Sequence, residues 1–172
     1  MTKPQFTKEQ LQDKMKEQSW VLIIILTVVG LCMIAYSGIA LYSALTMNNA
    51  DAMGPVESYG FSSMFERVFN GLFNAAVLFV AADIFRKIKN SGTPFMQNVI
   101  KHLYIISALL MTSAILSPVL AIAVTVAAKG SVQHRILFSG MSFGVVLSLV
   151  VLSLARIFRY GTMLQQESDE TL

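Results

Sequence analysis

Polar and apolar positions alternate along this chain in long blocks. From Val21 to Leu45 no residue is charged, which at 1.5 Å per residue gives more than the roughly 30 Å of hydrocarbon in a bilayer. Leu103 to Ala128 and Ile136 to Ala155 are likewise free of charge. Each predicts a membrane-spanning helix, the middle one interrupted by Pro118, whose missing N–H removes one helical hydrogen bond. The remaining block is shorter: between Arg67 and Asp83 only Val68 to Ala82 is uncharged, with Asn70 and Asn74 inside it. Counted from Phe65 to about residue 86, it too is long enough to span.

Between these blocks lie turn and cap signals. Thr7-Lys8-Glu9-Gln10 has the form of a capping box, and Leu11 and Met15 fall one turn apart ahead of Trp20, so a short N-terminal amphipathic helix is expected. Thr46 to Tyr59 reads as a loop that ends in the aromatic set Tyr59, Phe61, Phe65 and Phe69. Thr93 followed by Pro94 reads as an N-cap with proline at the first helical position. The reading is all-α: one domain over residues 1–172, with spans at about 20–45, 65–86, 99–128 and 136–158, a loop at 87–98 and a polar tail at 159–172.

Charge orients the spans and supports the second of them. Inner segments in a four-span arrangement hold Lys3, Lys8, Lys14 and Lys16, then Arg86, Lys87, Lys89 and Lys101, then Arg156 and Arg159. These are ten of the 13 Lys and Arg residues, so the positive-inside rule places both termini in the cytoplasm. Omitting the second span would put the basic middle loop outside. With 55% hydrophobic and 13% charged residues, the chain is too apolar for a soluble domain, and a bacterial inner-membrane bundle is the expected setting. The net charge of +3 comes from residues that flank apolar runs, not from a patch with interleaved aromatics, so direct nucleic-acid binding is not expected.

Polar groups within spans are the natural candidates for chemistry. Glu66, Asn70 and Asn74 recur every four residues. They suit either a hydrated vestibule of a small transporter or channel, or hydrogen bonds that fasten helices together, the commoner use. Asp83 and Arg156 fall at similar depth near the inner ends of spans two and four, which makes an ion pair across the bundle reasonable. His102 and His134 fall at opposite ends, and Cys32 is the only cysteine, so no cofactor or metal is expected. Neither GxSxG nor HExxH occurs, and no enzymatic constellation emerges. Gly140, Gly144 and Ser148 at four-residue spacing permit close helix approach, within the chain or in a homo-oligomer.

Two segments carry a family resemblance: Gly92-Thr93-Pro94-Phe95-Met96-Gln97-Asn98-Val99, and the stretch from Arg159 to Leu172. They resemble the bacterial four-helix membrane family catalogued as domain of unknown function 2975, with its G-x-P-F-x-x-N-V inner loop and G-x-x-L-Q-x-E-x-D-x-T tail. Glu170 stands where that family usually has an apolar residue. The resemblance implies a sensor or regulatory subunit that contacts a cytoplasmic helix-turn-helix regulator or another membrane protein. It points to Gly92, Pro94, Phe95, Asn98, Gly161, Leu164, Gln165, Glu167, Asp169 and Thr171 as interaction residues. A turn and helix cap explain the first segment equally well. A structural subunit of a larger membrane complex is the further alternative, and the acidic tail has the charge to fold back on the basic loop.

Overall fold

The computed structural model describes residues 8–48, 55–91, 96–129 and 138–170. They form four helices: α1 (Lys8–Asn48), α2 (Pro55–Ser91), α3 (Gln97–Lys129) and α4 (Phe138–Glu170). Each contains a stretch long and apolar enough to cross a membrane: Lys16–Thr46, Ser62–Ser91, Gln97–Ala128 and Phe143–Leu164. The chain is thus a multi-pass, all-helical membrane protein, and the shorter second apolar block is a full span.

Several boundaries differ from the sequence expectation. The short amphipathic helix is not a separate element, because residues 8–19 are the first turns of the 41-residue α1. Thr7, which would close the capping box, lies outside the described residues. The expected Thr46–Tyr59 loop is helical at both ends, since α1 runs to Asn48 and α2 begins at Pro55, where a fixed φ suits a first helical position. At α3 the expected start near Pro94 lies outside the described residues, and the Met96 carbonyl accepts the first helical bond, from Ile100 N–H at 3.2 Å. α4 passes unbroken through Gly161 to Glu170, so the polar tail is helical for most of its length. Glycine weakens a helix interior by only about 1 kcal/mol, which the neighbouring turns can offset.

The helices pack in chain order: α1 on α2, α2 on α3, and α3 on α4. A closed ring would also need α1 against α4, and among the described residues those two do not touch. The four-helix membrane bundle read from the sequence is thus laid out as an open row of helices in chain order. Small residues form its seams. Ala44, Ala75, Ala82, Ala114, Ala121 and Ala155 are buried, together with Ser37, Ser62, Ser107, Ser113, Ser117, Thr125 and Ser148. Lipid is as apolar as leucine, so bulky side chains gain little by leaving it, and close backbone approach decides which faces meet. Trp20, Ile24, Val28, Tyr42, Phe143 and Val150 accordingly remain exposed.

At two places glycine is required by contact. A Cβ on Gly144 would lie 2.9 Å from the Cβ of Ala114, which places the small-residue stripe of α4 against α3 of the same chain. A Cβ on Gly71 would collide with the hydroxyl of Ser37, bringing α1 equally close to α2. Larger side chains pack at one end of the α2–α3 seam, where Ile84, Val99, Ile106 and Leu110 form a cluster capped by Val77, Val80, Leu103 and Val151.

Candidate functional site

The end of the row where α2 finishes and α3 begins collects the charged groups. Asp83 and Lys87 are one turn apart on α2 and pair at 2.9 Å, as an i,i+4 acid-base pair on a helix does. The Nε2 of His102, reaching across from α3, lies 3.0 Å from Asp83 Oδ2 and 3.0 Å from Lys87 Nζ. Its Nδ1 donates to the backbone carbonyl of Asn98 at 2.6 Å. All three side chains retain partial exposure, with 36% for Asp83, 31% for Lys87 and 20% for His102. They form a hydrophilic clasp directly above the Ile84–Val99–Ile106 cluster.

The same end holds α1 to α2. Lys89 Nζ stands 4.3 Å from the ring centroid of Trp20, a cation–π distance. This contact fixes the first turns of the apolar part of α1 beside the last turn of α2.

The expected ion pair between Asp83 and Arg156 is not formed. Asp83 is engaged by Lys87 and His102, whereas Arg156 is exposed on α4, a helix that does not touch α2. Similar depth is not proximity when α3 stands between the two helices. Among the described residues, the helical part of the acidic tail makes no close backbone approach to the end of α2.

The polar positions of span two part ways. Ser113 donates to Asn70 Oδ1 at 3.1 Å, so Asn70 fastens α2 to α3. Asn74 is exposed, and Glu66 is half-buried. Each step of four residues advances about 40° around a helix, so the stripe drifts off the α3 seam over two steps. Elsewhere in the spans hydroxyls bond back to carbonyls of their own helix, as Thr27 does to Ile23 at 2.7 Å and Ser153 to Leu149 at 2.9 Å.

Of the residues in the two motif segments, Gly92, Pro94 and Phe95 lie outside the described residues, as do Thr171 and His134. Asn98 is exposed in the first turn of α3, and its carbonyl holds His102. Gly161, Leu164, Gln165, Glu167 and Asp169 ride on the helical extension of α4. There Ile157, Tyr160 and Leu164 are exposed at 65%, 65% and 48%, and their i, i+3, i+7 spacing turns them to one side. That side continues the shallow apolar face of Val146, Val150 and Ser153, opposite the Gly144 and Ser148 face that meets α3.

Sequence reasoning missed the joining of His102 to Asp83 and Lys87. A usable signal was present, because Asp83 and Lys87 are spaced to pair and His102 follows them across a short connection. Two helices joined by few residues are antiparallel neighbours, which puts His102 opposite the end of α2.

A family model described as a protein of unknown function (DUF2975) matches residues 75–172. The matched part runs from the middle of α2 through α4 and contains both motif segments. No curated protein and no solved structure matches the chain.

Proposed function

We propose that this chain, which belongs to the DUF2975 family, is a non-enzymatic regulatory subunit of the bacterial inner membrane that contacts a partner through its middle loop and C-terminal segment. The observation that carries this reading is the form of α4. Its 33 residues extend about 50 Å, against roughly 30 Å of hydrocarbon. We take the hydrocarbon boundary near residue 158, which leaves the following turns as a helical projection with Ile157 at its root and Tyr160 and Leu164 exposed along the same side. Apolar anchors at this spacing, flanked by Arg159, Gln166 and Glu167, suit a helix laid into a partner's groove.

The positive-inside rule directs this projection to the cytoplasm, since ten of the 13 Lys and Arg residues fall in the segments at that end. A cytoplasmic helix-turn-helix regulator is the partner class implied by the resemblance of the motif segments. The open row favours a second reading, a subunit of a larger membrane complex, because the outward faces of α1 and α4 are free to receive further helices.

Affinity capture from detergent-solubilised membranes tests the leading reading. A chain ending at Tyr160 should keep its helical spans and lose the cytoplasmic proteins that the full chain retains. The same set of partners recovered with both chains would overturn it. Recovery of membrane proteins alone, insensitive to the truncation, would favour the second.

A further inference from the structure

From the geometry of the α2–α3 clasp we infer that His102 is a proton-binding site whose protonation gives Asp83 a second charged partner and loosens Lys87. Hydrogen-bond roles fix the tautomer of the neutral ring. The Asn98 carbonyl can only accept, so the His102 Nδ1 at 2.6 Å carries a hydrogen. The Lys87 ammonium can only donate, so Nε2 at 3.0 Å receives its N–H through a lone pair. In the neutral ring this is the Nδ1–H form, with Lys87 bridging His102 to the Asp83 carboxylate at 2.9 Å.

Asp83 Oδ2 already stands 3.0 Å from Nε2. Two acceptors at that distance gain nothing from each other. A proton taken from water onto Nε2 turns the same contact into a charge-assisted N–H to carboxylate bond, with no displacement of either helix needed. The change loosens Lys87, because its ammonium then faces an imidazolium at 3.0 Å and keeps only the Asp83 carboxylate, which it shares with that ring.

Besides Asp83, the described acidic side chains of α1 to α3 toward this end are Asp13 and Glu17, both exposed and on α1, which meets α2 but not α3. α2 presents Asp83, Arg86 and Lys87 to this end, and Lys101 is exposed beside His102 on α3. α4 meets α3 through Ser107 and Ala114, which lie about 120° to 140° around the helix from His102. Its Arg156 and Arg159 are exposed. Protonation thus adds a positive charge to a basic end and loosens a lysine there, independently of which partner that end contacts.

The full chain in lipid nanodiscs, labelled at its histidine nitrogens, provides the test, with His134→Asn assigning the His102 signals. Above the titration, His102 should show a protonated Nδ1 and an unprotonated Nε2, the reverse of the tautomer that free imidazole side chains prefer. Amine labelling read by mass spectrometry should then show the Lys87 to Lys101 ratio rising several-fold between about pH 8 and pH 5, and staying flat in His102→Gln. A neutral His102 protonated at Nε2, or a ratio that ignores pH in the native chain, would overturn the proposal. Both of these readings use the native histidine, so a folding defect in His102→Gln does not remove the test.

Discussion

Ser107 of α3 and Ser148 of α4 hold each other's backbone. The Ser107 hydroxyl donates to the Ser148 carbonyl at 3.0 Å, the Ser148 hydroxyl donates to the Ser107 carbonyl at 2.8 Å, and the two oxygens lie 3.2 Å apart. Both residues are buried, and Gly144 one turn away brings the helices close enough for the exchange. Replacing either serine by alanine should weaken the α3–α4 seam by about 0.6 to 2 kcal/mol. Because the hydroxyls also touch one another, the double replacement should cost less than the sum of the singles. Denaturant-induced loss of helix contact in detergent, followed as a double-mutant cycle, checks this. Strict additivity would mean that the two bonds act independently.

The two asparagines of α2 should respond oppositely to the same substitution. Asn70→Leu deprives the buried Ser113 hydroxyl of its acceptor and should lower stability by about 1 kcal/mol. Asn74→Leu removes an exposed amide from the middle of a span and should leave stability unchanged or raise it, since an unpaired polar group in hydrocarbon is costly. Equal losses from both would restore a shared role for the stripe. In reconstituted vesicles, a solute flux abolished by the double substitution would revive the transporter reading.

These contrasts show which features were readable from the residues. Span two was weak in hydropathy alone, but the placement of Arg86, Lys87 and Lys89 required it, because charge placement acts over the whole chain. The Gly144 and Ser148 stripe was readable because four-residue spacing fixes a face on any helix. Which helix that face meets was not, since spacing says nothing of order. The pairing proposed for Asp83 failed for that reason: depth can be counted along the chain, but only the fold shows that α3 separates α2 from α4. The drift of Asn74 away from Asn70 was in principle calculable from 100° per residue. The helical state of the tail was hidden because polar composition and Gly161 resemble a stop signal, while strong helix formers such as Met163, Leu164, Gln165 and Gln166 carry α4 onward.

Ser117 supplies the last prediction. Its hydroxyl is fully buried and has no hydrogen-bond partner among the described residues, unlike Ser113 one turn earlier, which reaches Asn70. A buried hydroxyl left unpaired loses its solvation without compensation, a cost of about 1 to 3 kcal/mol. Alanine differs from serine only by that oxygen and leaves the close approach of the helices intact. Ser117→Ala should therefore stabilise the protein by about 1 kcal/mol, whereas Ser113→Ala destabilises it. Both are read from the same unfolding curve in detergent. A loss of stability in Ser117→Ala would mean that the hydroxyl finds an acceptor in the membrane, for which the Ala114 carbonyl is the nearest candidate by sequence, because Pro118 has no N–H to offer it.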